Sequence, residues 1–530
     1  MHDFEIVLGL LLAATLVQPL AHRLDVPVAI AQVVCGIVLS TLPFVPTVAF
    51  DPELSFALLV PPLLYRAAST SSLRDTRRQA RPILLLAVVL VLVTTAVVAM
   101  VAHTVVPQLP WTSALVLGAM VAPPDADVTT SIARRLGLPA HLVTILEGET
   151  LLNDATAFIS YRMAVRAAVL GTFSLAVAVG GFLILTVGGV LVGLAVGWAV
   201  AQLRKRLADS VAEAAISLLT PFAVYLLAEA LGTSGVLAVV VTGFCISRFL
   251  PRDASAKMRV RGYMMWETVT FMVGGLIFML IGLRLGRLVP VFWRQEGRSF
   301  LWIATVVSLA VMGIRLLWIF PTFYVSRLLT ARRRSTDAAA SWRSLAVLGW
   351  AGLRGGDTLV MALAIPLTTA TGAPFPGRDV IISVAFAVIL ATIVVQGLTL
   401  RPVIKWLELP RDAQVDKEER QARLAAERAA LARLTELTDR ERLPREISAY
   451  LRTMIEQRTR LDLDDIEHAE GHDGQTAEDI LRDAGQQVRD AARAAVVRLR
   501  DDDVIGDEAL RRVISDLDLE DLRSAEPLGT

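Results

Sequence analysis

The chain alternates long apolar runs with short polar segments. Runs long enough to cross about 30 Å of hydrocarbon as helix fall near residues 4–21, 26–43, 53–67, 82–106, 111–134, 139–169, 173–203, 211–231, 233–249, 264–285, 300–327, 342–366 and 379–401. They predict an all-α polytopic membrane protein of about 13 transmembrane helices. The polar connections are asymmetric. One alternating set holds RDTRRQAR (74–81), RRLGLPAH (134–141), RLADS (206–210), RDASAKMRVR (252–261) and ARRRS (331–335). The opposite set, VVPQLPW, LGTS and TGAPFPGRD, is nearly free of Lys and Arg, with GRLVPVFWRQEGR (286–298) as the exception. Excess basic residues mark cytoplasmic loops, so the N-terminus is expected outside and the C-terminal tail in the cytoplasm.

Two runs are interrupted in ways a simple anchor does not need. The fifth reads ALVLGAMVAPPDADVTTSIARRLG (114–137), with Pro123, Pro124, Asp125 and Asp127 near its middle. The twelfth reads LGWAGLRGGDTLVMALAIP (348–366), with Gly352, Arg354, Gly355, Gly356 and Asp357 at its middle. Both should unwind there. Freed backbone groups at membrane depth are tolerated only where protein buries them or a cavity receives them. The two interrupted spans occupy corresponding places if spans 1–6 and 8–13 are inverted repeats joined by span 7. Paired broken helices of that kind point to a midplane substrate site.

Composition adds a division. Overall, 54% of residues are hydrophobic and 19% charged, with a mean hydropathy of +0.57, outside the range of soluble domains. Residues 411–530 hold 20 basic and 30 acidic side chains, which leaves a surplus of eleven positive charges on the first 410. Domains are expected at 1–405, in the membrane, and 406–530, a cytoplasmic helical regulatory tail. Cys35 and Cys245 lie in separate apolar runs and read as small buried hydrophobes. The N-terminal twenty residues lack a basic n-region and a small-residue cleavage site, so they read as a retained first span.

The remaining chemistry concentrates in LEGETLLNDATAF (146–158), which carries Glu147, Glu149, Asn153 and Asp154 into a membrane helix. A carboxylate at that depth is paired, hydrated or protonated part of the time. One that binds either a proton or a small hard cation is the simplest device for exchanging the two. Oxygen ligands are at hand in Asp154, the Asn153 amide, the Thr129 and Thr130 hydroxyls and the carbonyls of the broken fifth span. Glu149 and Asn153 share a helix face, whereas Asp154 lies about 100° further round. Glu149 therefore reads first as one half of a structural ion pair, and Asp154 as the ion binder. Arg315 and Arg354 are the basic side chains lying most clearly within later spans, and are natural partners for buried acids.

These motifs resemble the sodium/proton exchanger branch of the cation:proton antiporter superfamily, which holds bacterial NhaP-like and eukaryotic NHE-like proteins. The resemblance rests on EGETLLNDATAF (147–158), APPDADVTTSIARRLGLP (122–139), FMLIGLRL (278–285), GIRLLWIFPTFY (313–324) and GWAGLRGGDTL (349–359), and covers roughly residues 1–405. It implies thirteen helices in two inverted six-helix repeats, crossed broken helices 5 and 12, a homodimer and electroneutral exchange of one Na+ (or Li+, K+) for one H+. It further implies a plasma-membrane location, a part in pH homeostasis and no cofactor. Asp154 would be the shared cation and proton carrier with Asn153 beside it, Asp125 and Thr129 would join the ion site, Glu149 would pair with Arg315, and Asp125 with Arg354 would neutralise the helix crossing.

The chain departs from that pattern at several positions. Many relatives have Thr-Asp-Pro where it reads Pro124-Asp125-Ala126, which changes the hydroxyl and carbonyl ligands available. Asp127 and Asp357 fall where apolar residues are expected, and Arg66 stands where some relatives carry an acid. Asp127 and Asp357 either cap half-helices at their N-termini or form a private charge network with Arg66 in which one adds a second titratable site. In the tail, residues 411–443 predict a charge-laced helix ended or kinked at Pro444. Beyond the acidic linker 461–474, which holds His468 and His472, two amphipathic helices are expected. Nothing in the tail resembles a nucleotide-binding motif, and no nucleic-acid partner is expected. The alternatives are a K+/H+ exchanger on the same fold, an ion channel and an intramembrane aspartyl enzyme.

Overall fold

The computed structural model describes residues 2–24, 26–42, 52–125, 129–130, 133, 138–172, 174–206, 209–253, 256–295, 297–329, 341–408, 413–440, 443–457 and 477–525. Regular structure within them is helical, apart from one isolated bridge between Thr368 and Pro374. The apolar runs coincide with α1 (His2–Arg23), α2 (Val28–Ser40), α3 (Pro52–Thr70), α4 (Ala80–Val105), α5 (Trp111–Val121), α6 (Ala140–Leu170) and α7 (Leu175–Lys205). They continue as α8 (Ser210–Ala230), α9 (Gly235–Asp253), α10 (Ala256–Gln295) and α11 (Gly297–Leu329). The twelfth run is two helices, α12 (Trp342–Trp350) and α13 (Gly356–Leu363), and the last is α14 (Arg378–Trp406). Six of the described helices are long and apolar enough to cross a membrane, α4, α7 and α14 among them.

Glycine decides how closely several of these helices approach. Along α7 the buried residues are mainly Gly189, Gly193 and Gly197, four apart and therefore on one face. A Cβ on Gly193 would lie 2.6 Å from the Ala238 carbonyl oxygen and 2.8 Å from Val241 Cβ, so α7 seats α9 backbone to backbone. The rest of α7 turns leucine, valine and Trp198 outward, as a lipid-facing helix should. Gly36 and Gly282 meet in the same way where α2 crosses α10.

The chain divides into two compact units, Met1–Arg248 with Met265–Arg411, and Phe249–Met264 with Asp412–Thr530. The first holds α1–α8, most of α9 and α10, and α11–α14. In it, α5 packs between α4, α6 and α14, and α13 packs on α3, α5, α6 and α14. The second contains α15 (Ala413–Asp439), α16 (Arg445–Gln457), α17 (Ala477–Asp501) and α18 (Asp507–Ala525), together with residues 249–264. Its core is a seam of small residues four apart, Ala422, Ala426 and Ala430 on α15 facing Ala484, Val488, Ala492 and Val496 on α17. Residues 443–451 hold no long apolar run, yet Leu443, Ile447 and Leu451 close this core from α16 and the turn that enters it. That helix lies beyond the break expected at Pro444. The acidic linker 461–474, with His468 and His472, lies outside the described residues.

Candidate functional site

The site forms where the breaks of two spans cross beneath α6. Helix α5 stops at Val121, and the next residues, Ala122 to Asp125, are non-helical. Two consecutive prolines remove two N–H donors and clash with the preceding turn, so the last carbonyls of α5 need partners from elsewhere. Side chains supply them. Thr358 Oγ1 donates to the Met120 carbonyl at 3.0 Å, Arg354 Nε to Val121 at 2.6 Å, Arg354 Nη2 to Ala122 at 3.1 Å and Asn153 Nδ2 to Pro124 at 2.9 Å.

The second break, Ala351 to Gly355, is locked against the first. The Asp125 N–H donates to the Leu353 carbonyl at 2.8 Å, and the Gly356 N–H donates to Asp125 Oδ2 at 3.2 Å. A Cβ on Gly355 would overlap the Asp125 carboxylate, so glycine is what lets that acid reach the N-terminus of α13. From α14, Thr392 Oγ1 accepts the Arg354 N–H at 3.1 Å, immediately before a π-helical turn at Ile393–Gly397. A small cavity beside Asp125 is lined by Ala29, Ile30, Phe278, Leu353, Gly355 and Ile393.

Helix α6 carries Glu149, Asn153 and Asp154, all buried. Glu149 makes a bidentate ion pair with Arg315 of α11, Nη1 to Oε1 and Nη2 to Oε2, the latter at 2.8 Å. Arg315 Nε also donates to the Leu348 carbonyl at 3.1 Å, which ties α6, α11 and α12 together. Asp154 is buried on α6 as well, against which α13, the helix that carries Asp357, packs.

Two further buried polar atoms are unsatisfied. The Asn153 Oδ1 and the Thr129 hydroxyl are buried and find no hydrogen-bond partner among the described residues. Asn153 Nδ2 is committed to Pro124, so the amide has a defined orientation. Among the described residues no three His, Cys, Asp or Glu side chains stand close enough to hold a metal ion. Carboxylates alone therefore make no cage, and an ion bound here takes amide, hydroxyl and carbonyl oxygens as well. An all-oxygen set suits a proton or a hard monovalent cation.

The described hydrogen bonds of the Arg354 guanidinium run to carbonyls, those of Val121 and Ala122 and its near neighbour Gly352. The freed end of α5 offers carbonyl oxygens, and the guanidinium's fan of donors matches them. Arg66 is half-buried on α3, which packs on α13, while Asp127 lies outside the described residues. Thr358 and Thr392 were not anticipated. The only sequence signal for Thr358 was its place directly after Asp357.

Comparison with known proteins agrees in fold and class. A family model described as "Sodium/hydrogen exchanger, transmembrane" matches residues 8–406. An uncharacterized Na+/H+ exchanger of Mycobacterium tuberculosis is 32% identical, over 98% of this chain and 96% of that protein. A sodium, potassium, lithium and rubidium/H+ antiporter of Bacillus pumilus is 31% identical, over 71% of this chain and 57% of that protein. The solved structure of a sodium proton antiporter from Methanocaldococcus jannaschii at pH 8 matches with a TM-score of 0.62 at 17% identity, covering 77% of this chain and 99% of that one.

Proposed function

We propose, for a chain that belongs to the sodium/hydrogen exchanger family, that it exchanges Na+, and with it Li+, for H+ by alternating access with Asp154 as the shared carrier. The coarse frame is plain: this is a multi-pass membrane protein that exchanges a monovalent cation for protons, and it is not an enzyme. The observation that carries the finer reading is the position of Asp154, buried on α6 next to Asn153, which holds the first break by its bond to Pro124 and whose Oδ1 is buried with no partner among the described residues.

Holding a bare carboxylate there costs several kcal/mol, so Asp154 is stable only when it carries a proton or a cation. Competition for one group then couples the two fluxes. In this reading the broken helices belong to two inverted six-helix repeats of a thirteen-helix domain over residues 1–405, which rock about the site. The protein works as a homodimer in the plasma membrane in pH homeostasis, N-terminus outside and residues 406–530 a cytoplasmic regulatory tail. The Glu149–Arg315 pair is the rigid strut beside the moving site. K+ is a second candidate substrate, favoured by the broad cation range named for the Bacillus pumilus relative.

Purified protein in liposomes with an imposed proton gradient tests this. Wild type should dissipate the gradient on addition of Na+ or Li+, and Asp154→Asn should not do so with any cation. Exchange retained by Asp154→Asn would remove Asp154 as the carrier.

A further inference from the structure

We propose that the Arg162–Glu229 ion pair is the outer gate of the exchange site, a bond that holds α6 to α8 while the site is closed to the outside and breaks each time it opens there; the proposal rests on the exchange reading above. Arg162 lies on α6 eight residues beyond Asp154, about 12 Å further along the axis at roughly 1.5 Å per residue. Its Nη1 donates to Glu229 Oε1 at 2.8 Å, and its Nη2 stands 2.7 Å from Glu229 Oε2. Glu229 is in the last turn of α8, and its Oε1 also accepts the Gly235 N–H at 3.2 Å, at the start of α9. The segment between those helices contains LGTS, one of the loops whose lack of basic residues assigns them to the outside.

The pair joins two sets of helices that are each tied together by other bonds. In one set, Arg204 of α7 pairs with Glu213 of α8, the Ser234 N–H donates to the Leu185 carbonyl at 3.2 Å, and Gly193 seats the backbone of α9 on α7. In the other, α6 is bonded to the broken fifth span through Asn153 and to α11 through Glu149. Beside Arg162, the contact of α6 with α7 is made by Met163, whose Sδ would lie 2.9 Å from a Cβ on Gly181. A flexible thioether against a glycine readjusts easily, whereas the Gly193 contact is backbone on backbone. The helix dipole does not account for Glu229 either. Glu213, in the first turn of α8, is on the end that favours an acid, and Glu229 is on the end that disfavours one.

Exposure sets the strength of the bond. The Arg162 and Glu229 side chains are 48% and 24% exposed, against 2% and 1% for Arg315 and Glu149. Breaking a buried pair is expensive, while an open one is worth little and is remade easily. Glu149–Arg315 therefore suits a permanent strut, and Arg162–Glu229 a bond that opens and closes in every cycle. A bond made in one state and absent from the other biases their populations by its own strength. A plain cap of α9 by Glu229, through Gly235, would leave Arg162 without a part to play.

The test is Na+-driven proton exchange by the full-length protein in right-side-out and inside-out membrane vesicles, which gives a KM for Na+ on each face. Loss of the gate raises the population open to the outside, so Arg162→Gln should lower the ratio of external to internal KM about threefold. The exchanged pair Arg162→Glu/Glu229→Arg should return the ratio toward that of wild type. A ratio unchanged in Arg162→Gln, including one in which both KM values rise by a common factor, or a ratio that increases, would overturn the gate and leave Asp154 exchange standing. Hydrogen–deuterium exchange of the same purified proteins reads the bond without transport. Faster uptake by residues 153–162 in Arg162→Gln supports the gate, and uptake equal to wild type counts against it, even if wild type exchanges no cation. Should Arg162→Gln elute as an aggregate, Arg162→Lys decides: a lowered KM ratio supports the gate, and an unchanged ratio overturns it.

Discussion

Glu149 and Asp154 lie five residues apart on one helix and are treated oppositely by their surroundings. Glu149 has both oxygens on Arg315, whose remaining Nε donates to Leu348. Each charge is compensated, and the pair has no use for a passing ion. Removing one partner strands the other in a dry interior, at a cost of about 3–5 kcal/mol, whereas replacing both with neutral polar groups costs far less. Arg315→Gln and Glu149→Gln should therefore each lower the temperature at which the detergent-purified protein loses monodisperse elution, and the double variant Glu149→Gln/Arg315→Gln should recover most of that loss. Additive losses would show that the two charges are not coupled. The separation of Glu149 from Asp154 was legible in their spacing, since about 140° of helix face divides them. The packing of α13, which carries Asp357, against α6 was not. It depends on where α13 crosses α6, and no local pattern encodes a crossing between segments two hundred residues apart.

Helices meet here through what they lack. The stripe Gly189, Gly193, Gly197 lets α7 press on α9, and Gly36 with Gly282 does the same for α2 and α10. In lipid there is little hydrophobic drive for apolar helices to associate, so close backbone contact and van der Waals packing hold them. A side chain at Gly193 has backbone, not a flexible tip, in its way, and overpacking of this kind costs about 1–3 kcal/mol or more. Gly193→Leu should reduce the yield of folded protein and its thermal stability. Gly180→Leu, on the same helix but with no atom within 4 Å of an added Cβ, should be neutral in both measurements. Helix positions were readable from the apolar runs, and both breaks from their Pro and Gly residues. The sealing of the α5 end by Arg354 and Thr358 was not, because a broken helix advertises its unpaired carbonyls but not the side chains that reach them.

At the largest scale the chain is partitioned by charge and by connectivity. The tail carries the acidic excess, and division at residue 410 was visible in composition alone. Less visible was the membership of residues 249–264, which lie between two apolar runs and belong with α15–α18. Charge chemistry within that unit accounts for the membership. Asp518 of α18 accepts Arg259 Nε at 2.7 Å and Nη2 at 2.5 Å, and Arg493 Nη2 of α17 at 3.2 Å. Its side chain is 3% exposed, against 12% for Arg259 and 13% for Arg493. One carboxylate thus binds two guanidinium groups, with Asp490 a second acid on Arg493 at 2.9 Å, and the basic segment RDASAKMRVR, which marks a cytoplasmic loop by its charge, supplies through Arg259 a counter-charge to the acidic tail. The chain passes between the units at 248–249, 264–265 and 411–412, and α10 runs continuously through the second of these passages. Loss of Asp518 removes the bidentate acceptor of Arg259 and leaves Arg493 its contact with Asp490 at 2.9 Å, at up to about 3–5 kcal/mol, a large share of the stability of a small helical unit. In the full-length protein, Asp518→Ala should speed limited proteolysis within 477–525 by at least about tenfold, since cleavage tracks the population of the opened state. Arg493→Gln, which leaves the bidentate Arg259 contact in place, should have the smaller effect. Equal protease resistance of wild type and Asp518→Ala would mean that the small-residue seam of α15 and α17, not this ion triad, holds the unit closed.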